Sequence, residues 1–165
     1  MTDDPSTCSN AVLRQAMRRI GQLYDDALAP SGLRATQHGL LATVRKMGSP
    51  TMRELAERAV MDLSGLSHTL KPLTRDGYLQ LVPDPRDRRV RRITLTEKGE
   101  AKLGETTQLW RVAQDRFEAA FGMERAVALK SELRFLTSPE FQDAFNDAGP
   151  KTGTSTRSAS RTVID

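Results

Sequence analysis

The sequence is poor in the residues that build covalent or metal-bound cores. It has one cysteine, Cys8, and two histidines, His38 and His68, among 165 residues. One cysteine cannot form a disulfide within the chain, and this set supplies no cysteine cluster or histidine ligand set for a metal ion. No nucleophile, acid and base converge in the pattern either. We therefore expect a protein that is not an enzyme and that holds no cofactor.

Long apolar runs are missing as well. No stretch approaches the roughly 20 apolar residues of a membrane span, and residues 1–10 are too polar for a signal peptide. We expect a cytoplasmic protein with no membrane contact. The length suggests one domain with its own core. We place it at residues 10–148, after a flexible segment at 1–9 and before a disordered tail at 149–165 with little to bury.

The chain has a moderate excess of positive charge. Its 25 lysines and arginines outnumber 21 acidic residues, which gives a formal charge of +4. Such an excess fits a partner that carries phosphates, although many basic proteins have no such partner. The positive charge is densest from Asp84 to Arg92, where five arginines and two aspartates leave three net positive charges. The arginines are Arg86, Arg88, Arg89, Arg91 and Arg92.

A helix with one polar face is predicted just before this basic run, over residues 62–76, and Gly77 ends it. Its leucines recur at intervals of three and four, which predicts a buried face. The opposite face is polar where a DNA groove would need it. The buried face comprises Leu63, Leu66, Leu70 and Leu73, and the outward face comprises Ser64, Ser67, His68 and Lys71.

The basic run itself forms the turn of a predicted β-hairpin with strands at residues 78–82 and 90–95. Apolar residues alternate with polar ones on both strands, which is typical of a half-buried hairpin. The alternating residues are Leu79 and Leu81 on the first strand and Ile93 and Leu95 on the second.

Side chains that cap helices mark the other helix starts. Thr51-Met52-Arg53-Glu54 is a capping box, in which Thr51 and Glu54 each bond the other's backbone N–H. Caps and apolar periodicity together predict helices that begin at Asn10, Thr36, Thr51 and Thr96. The first ends near Leu28, the fourth runs from Glu97 to Phe121, and helical segments follow at 124–136 and from Pro139, with Phe141 and Phe145 in the last.

This order of elements is that of a winged helix-turn-helix, in which two short helices with a tight joint precede a basic hairpin. Asp87-Arg88-Arg89, followed by Ile93-Thr94-Leu95-Thr96-Glu97-Lys98-Gly99, resembles the MarR family of transcriptional regulators. Arg53-Glu54-Leu55-Ala56 is similar to that family's first motif helix. The resemblance covers about residues 10–145. It implies a mainly α fold with a small β-hairpin wing, in which a winged helix-turn-helix at about 34–96 joins dimerisation helices at about 10–29 and 97–146.

The resemblance also implies a function. It predicts a homodimeric, sequence-specific repressor that binds a pseudo-palindromic operator in double-stranded DNA and that a small phenolic or other aromatic anion releases. Asp87 is the acid that orients the wing by pairing with an arginine, and Arg89 is the arginine that enters the minor groove. The groove-facing part of the recognition helix corresponds to Ser64, Gly65, Ser67, His68 and Lys71.

The other wing arginines extend the predicted DNA surface to Arg86, Arg88 and Arg91, because guanidinium groups suit phosphates and narrow minor grooves. Arg91 and Arg92 alternate across a strand, so at most one can face the DNA and the other is expected to pair on the protein surface. The simpler alternatives are a solvated, charged turn for the wing and an exposed helix residue for His68.

Two regulatory routes stay open. The resemblance implies a ligand pocket where the dimerisation helices meet the DNA-binding lobe, bordered by the first, second and fifth helices. Arg18, His38, Trp110 and Arg111 are candidate contacts there, because a cation beside an aromatic face suits an aromatic carboxylate; the alternative for each is packing or a surface salt bridge. The dipole of the first helix would favour the thiolate of Cys8 and make Cys8 a peroxide sensor. The alternative is that Cys8 is an inert thiol. A winged helix that binds protein rather than DNA is a further alternative, but it should present apolar residues on its outward recognition face.

Overall fold

The structure is a computed structural model that describes residues 8–148, so most of the expected flexible segment at 1–9 and the expected disordered tail at 149–165 lie outside the described residues. The described part is mainly helical with one antiparallel hairpin, as predicted. Its elements are α1 (Ser9–Leu28), a 3-10 turn (Ala29–Ser31), α2 (Ala35–Met47), α3 (Met52–Ala59), α4 (Leu63–Arg75), β1 (Leu79–Pro83), β2 (Arg91–Leu95), α5 (Glu97–Phe121), α6 (Met123–Leu136) and α7 (Pro139–Asp147).

Two compact units divide the chain, with the boundary between Met123 and Glu124. The first holds α1 to α5 and the hairpin. The second holds α6 and α7, where the Phe141 ring lies 5.5 Å from that of Phe135 and 6.1 Å from that of Phe145, centroid to centroid. Among residues 8–148, no helix combines the length and the apolar character needed to cross a bilayer.

Two of the four predicted helix caps are present. The Glu54 N–H donates to Thr51 Oγ1 at 3.2 Å and the Thr51 N–H donates to Glu54 Oε2 at 2.7 Å, so the capping box forms at the start of α3. The Gly99 N–H donates to Thr96 Oγ1 at 3.0 Å, and α5 has the bounds that the sequence predicts.

The other two caps are wrong. Helix α1 begins at Ser9, with Cys8 rather than Asn10 at its N-cap and no side-chain bond there. Helix α2 begins at Ala35 instead of Thr36, because a carboxylate from α1 caps it: the Ala35 N–H donates to Asp25 Oδ1 at 2.7 Å. At the same end the Arg34 N–H donates to Gln37 Oε1 at 2.9 Å, so a distant partner and a local one together take the place of the predicted Thr36 cap.

The core lies between α2, α3, α4, the hairpin and the start of α5. It is formed by aliphatic side chains that are almost completely removed from water. Burial of apolar surface of this kind makes the largest favourable contribution to folding. Its fully buried members include Leu41, Val44, Leu55, Leu66, Leu73, Leu79, Ile93 and Leu103.

Two leucines expected inside are outside. Leu63 is 52% exposed because it is the first residue of α4 and lies beyond the core's edge, whereas the later leucines of that helix are buried. Leu81 is 45% exposed although Leu79 on the same strand is buried, so the core covers only the base of the hairpin.

Helices α1 and α5 pack side by side and leave an apolar groove between them. The Tyr24 hydroxyl donates to Gln114 Oε1 at 2.9 Å, and the Tyr24 and Phe117 ring centroids are 6.5 Å apart. The groove has a volume of about 420 Å³ and is lined by residues such as Ile20 and Phe121. Among residues 8–148, several apolar side chains of α1 remain exposed, including Leu13, Met17 and Leu23.

Candidate nucleic-acid interface

The recognition helix α4 is anchored on one side and polar on the other. Leu66, Leu70 and Leu73 hold it in the core. Its N-cap residue, Asp62, accepts the Gly65 N–H at 2.7 Å through Oδ1. The side chains predicted to enter a DNA groove are exposed on the opposite face, and Gly65 itself is half-buried. The exposed set is Ser64, Ser67, His68 and Lys71.

A tight joint sets α4 against α3. Val60 ends α3 with a φ of 52°, in the left-handed region that β-branched residues rarely adopt. The Val60 N–H donates to the Glu57 carbonyl at 3.2 Å, and the Met61 N–H donates to the Ala56 carbonyl at 2.9 Å. Backbone bonds and core packing therefore fix the angle at which α4 leaves the joint.

An ion pair holds the wing to the body of the protein. Asp84, which is buried at the end of β1, accepts the Arg92 guanidinium at Oδ2 through Nε. The same guanidinium donates through Nη1 to the Ser49 carbonyl at 2.6 Å and lies 3.9 Å from Glu54 Oε2. We call Asp84, Arg92, Glu54 and the Ser49 carbonyl the wing pin, because they join both strands to the connection between α2 and α3.

Backbone bonds reinforce the wing pin. The Ile93 N–H donates to the Pro50 carbonyl at 2.8 Å, and Thr51 forms an isolated antiparallel bridge with Arg92. The segment that starts α3 thus lies along β2 as a short extra strand would. The wing is consequently coupled to the helix-turn-helix by bonds to β2, in the half of the hairpin nearer its turn.

Asp84 also shapes the wing turn. Its Oδ1 accepts the Arg86 N–H at 2.6 Å and the Asp87 N–H at 3.2 Å. These bonds stabilise the carboxylate, so the pKa of Asp84 lies below its ordinary value, chiefly through the Arg86 N–H and next through Arg92. The charged form of Asp84 is therefore the one built into the wing.

The predicted pair between Asp87 and an arginine does not form among the described residues. Asp87 lies at the tip of the turn, where its Oδ1 accepts the Arg89 N–H at 3.0 Å. Asp84 lies two residues beyond Val82, the register partner of Arg92, and so within reach of that guanidinium. The expectation that one of the two strand arginines pairs is met by Arg92. Arg91 remains exposed, as are the tip arginines Arg86, Arg88 and Arg89.

A concave surface lies between the wing and the helix-turn-helix. It has a volume of about 370 Å³ and we call it the wing groove. The wing groove was not predicted from the sequence, because the leucine period of α4 placed Leu63 in the core. The one local sign that Leu63 could be exposed is that it directly follows the N-cap residue of α4. The wing groove is lined by Thr51, Met52, Arg53, Leu63, Val90 and Arg91.

Two of the four candidate ligand contacts lie together. His38 is 6% exposed, and its ring stacks on Trp110 with centroids 6.0 Å apart. His38 Nδ1 is 2.9 Å from Thr106 Oγ1. The Thr106 hydroxyl also lies 3.0 Å from the Lys102 carbonyl oxygen and 3.2 Å from the Leu103 carbonyl oxygen, so Thr106 accepts from His38 in the tautomer that carries the proton on Nδ1 and donates to His38 in the other.

The other two candidate contacts are placed differently. Arg18 lines a separate open groove with Asp25, Asp26 and Arg34. Arg111 is exposed on α5, next to Trp110 in sequence.

Cys8 has an exposed thiol at the N-cap of α1. Within residues 8–148, no group of three or more His, Cys, Asp and Glu side chains could hold a metal ion.

Burial of His38 should make stability depend on pH. Burial, and to a lesser degree Arg45, lowers the pKa of His38 below its ordinary value of 6.5. The unfolded chain therefore takes up a proton at a higher pH than the folded chain does. We expect the free energy of unfolding to hold above about pH 6.5 and to fall as the pH drops from there toward the folded pKa. Urea midpoints at about pH 7.5 and pH 5.5 measure this.

Two variants isolate the contribution of His38. His38→Gln keeps a side-chain donor but cannot titrate, so its midpoint should fall less than that of the wild type over the same range. His68→Gln removes the exposed histidine of α4 and should behave like the wild type. An equal acid loss in the wild type and in His38→Gln would contradict the prediction.

Comparison with known proteins finds one family. A family model described as MarR family matches residues 31–90. The multiple antibiotic resistance protein MarR of Salmonella typhimurium is 32% identical over 80 residues, which cover 48% of this chain and 56% of that protein. The chain thus aligns with little more than half the length of that relative. The transcriptional activatory protein BadR of Rhodopseudomonas palustris is 30% identical over 128 residues, 69% of each protein.

A solved structure extends the similarity over most of the described chain. The M. tuberculosis transcriptional regulator MOSR, crystallised in complex with DNA, is 34% identical and superposes with a TM-score of 0.73. The match covers 86% of this chain and 99% of that one. The similarity therefore includes the helices that flank the winged helix-turn-helix as well as the motif itself.

Proposed function

The chain belongs to the MarR family of transcriptional regulators, and on that premise we propose that it is a homodimeric repressor that binds a specific operator and releases it when a small aromatic anion binds. The observation that carries the proposal is the pairing of an anchored, polar α4 with an arginine wing fixed by the wing pin. Both are exposed on the first unit of the chain, and the similar MOSR was crystallised with DNA.

The two elements would read DNA differently. The α4 face would enter the major groove, where serine, histidine and lysine side chains bond base edges or phosphates. Arg89 would enter an adjacent minor groove, because a guanidinium suits the deep negative potential of narrow A·T-rich segments. The contacts proposed are Ser64, Gly65, Ser67, His68 and Lys71 from α4, and Arg86, Arg88, Arg89 and Arg91 from the wing.

Uncovered apolar side chains support the proposed dimer. Met17 is 67% exposed and Leu23 54% exposed on α1, and Phe145 is 70% exposed on α7. Contact with a second copy would remove such surface from water, which is favourable. Dimerisation would set two recognition helices about 34 to 36 Å apart, in successive major grooves.

The His38–Trp110 stack supports an aromatic effector. Its ring pair lies between α2, in the winged helix-turn-helix, and α5, so a ligand there would shift one against the other. By linkage, a ligand that weakens DNA binding by some factor binds the free protein more tightly than the DNA complex by the same factor. A thermal-shift screen of aromatic acids, followed by DNA titration, tests whether such a ligand binds and weakens DNA binding.

BadR is named as an activator, so reporter assays must determine the sign of regulation.

Binding to the promoter fragment beside the gene for this protein tests the DNA function. Fluorescence anisotropy should show a complex that prefers this fragment over a scrambled duplex and whose log affinity falls linearly with log salt concentration. Equal affinity for both duplexes, or no dependence on salt, would refute sequence-specific DNA binding.

The Arg89→Ala variant tests the minor-groove contact. Its affinity should fall most on duplexes whose flanks are A·T-rich and least on the same duplexes with G·C-rich flanks, because the minor groove of the latter is wider and less negative. We expect a difference of about fivefold or more between the two, since each specific contact contributes roughly 1 to 3 kcal/mol. An equal loss on both flanks would assign Arg89 to phosphate instead.

A further inference from the structure

The wing groove combines features that the proposed function does not use. Leu63 is 52% exposed and Val90 36% exposed, which gives it an apolar floor. Arg53 and Arg91, both exposed, also line it. Single exposed apolar residues are common on protein surfaces. Here two of them share one concavity with two arginines, and the concavity lies beside the polar face of α4.

Leu63 borders the polar face of α4. At 3.6 residues per turn it lies between Leu70 on the buried side and Ser67 on the polar side, and both Leu63 and Ser67 are exposed. Leu66, Leu70 and Leu73 follow the buried side. Leu63 also occupies the first turn, and residues at the N-terminal end of a recognition helix are those that reach base edges.

A DNA strand has the chemistry that fits this groove. In the major groove each A·T pair exposes the thymine C5-methyl group, which is apolar, whereas cytosine has a hydrogen there. The phosphates on either side of that base are anionic and suit two flanking guanidinium groups. An apolar floor between arginines therefore complements a thymine and its neighbouring phosphates.

We propose that Leu63 determines specificity by packing on one thymine methyl group in each operator half-site, with Arg53 and Arg91 on the adjacent phosphates. This inference rests on the proposed DNA-binding function and deepens it. It assigns an apolar contact to a recognition surface whose other side chains are all polar. It also accounts for a leucine held outside the core at the start of α4.

Replacement of thymine by uracil tests the proposal, because uracil pairs as thymine does and lacks only the methyl group. In the operator defined by footprinting, each thymine is replaced in turn and the affinity is measured. Wild-type protein should lose about fourfold at one position in each half-site, which is the factor that one buried methyl group supplies. Leu63→Ala should bind the thymine and uracil duplexes equally at that position.

Matched variants separate this contact from general effects. Leu81→Ala removes a leucine of similar exposure from β1, outside the lining of the wing groove, and should keep the wild-type preference for thymine. Arg53→Ala should reduce the salt slope by about 0.9 for each phosphate that the variant no longer neutralises, and it should leave the preference for thymine in place. Circular dichroism checks that each variant is folded.

The outcomes distinguish the inference from the proposed function. If the wild type binds its operator but no uracil substitution weakens it, or if Leu63→Ala keeps the same sensitivity, the inference is overturned and DNA binding stands. If the wild type forms no sequence-preferring complex, the proposed function fails and the inference fails with it. The contact is supported if Leu63→Ala loses the preference for thymine while Leu81→Ala and Arg53→Ala keep it.

Discussion

The Gly99→Ala variant should lose at least about 3 kcal/mol of unfolding free energy, the upper range of the cost of overpacking. Gly99 lies in the first turn of α5, directly against the chain that enters the hairpin. A Cβ added at Gly99 would lie 2.0 Å from the Tyr78 carbonyl oxygen and 2.9 Å from its carbon. Neither atom is the end of a flexible side chain, so α5 or the start of β1 must move.

Such a movement would break bonds that join α5 to the hairpin. The Thr96 hydroxyl donates to the Gly77 carbonyl at 2.6 Å, and the Thr96 N–H donates to the Tyr78 carbonyl at 3.1 Å. Both depend on the close approach that Gly99 permits. The higher helix propensity of alanine, worth up to about 1 kcal/mol, offsets only part of the loss.

Gly104→Ala is the matched control, five residues further along α5. A Cβ there meets nothing within 4 Å, and the residue is exposed. We expect the unfolding free energy of this variant, measured in urea titrations, to equal that of the wild type or to exceed it by up to about 1 kcal/mol. If Gly99→Ala shared the behaviour of Gly104→Ala in urea titrations, the close packing of α5 on Tyr78 would be refuted.

The features that could be predicted from the sequence depend on residues within about four positions of one another. The capping box of Thr51 and Glu54 closes over three residues, and so does the cap of Thr96 on Gly99. The starts of α3 and α5 were therefore predictable. The buried face of α4 also follows from spacing alone, except at its first leucine.

The features that could not be predicted depend on tertiary contacts. Asp25 caps α2 from ten residues away, which no local rule for helix caps includes. The sequence marks Gly99 and Gly104 alike as weak helix formers, and only the packing against Tyr78 distinguishes them. Leu63 fits the apolar period of α4, but period alone does not say where the core ends.

The wing contains one feature that the local sequence pattern predicts and one that depends on tertiary structure. Alternation along β2 predicts that Arg91 and Arg92 point to opposite sides. In the structure Arg91 is exposed and Arg92 pairs with Asp84. Which acid takes Arg92 depends on the strand register, in which Val82 faces Arg92. The family pattern favoured Asp87, whereas the register places Asp84 within reach.

The wing pin leads to the second large expected effect, which is on DNA affinity. Arg92→Ala removes the guanidinium that joins Asp84 to the Ser49 carbonyl and leaves a buried carboxylate without its cation. The wing would then have to become ordered on binding. We expect the affinity for operator DNA to fall by about tenfold or more, the cost of ordering a few mobile side chains.

Arg91→Ala is the matched control, because it removes the neighbouring arginine that is exposed instead of pinned. Removal of a group that neutralises a phosphate lowers the slope of log affinity against log salt by about 0.9, whereas removal of a positioning residue leaves the slope unchanged. Arg91→Ala should therefore flatten the slope and Arg92→Ala should not. Hydrogen exchange should speed up at the Arg86 and Asp87 amides, which donate to Asp84, in Arg92→Ala only.

Arg92→Lys separates charge from geometry. Lysine restores a cation beside Asp84, but its single ammonium cannot reproduce the planar fork that reaches Asp84 and the Ser49 carbonyl together. We expect an affinity between those of Arg92→Ala and the wild type, again with the wild-type salt slope. A flatter slope in Arg92→Ala that Arg92→Lys restores would mean that Arg92 binds phosphate. The wing would then owe its position to the backbone bonds of Pro50 and Thr51.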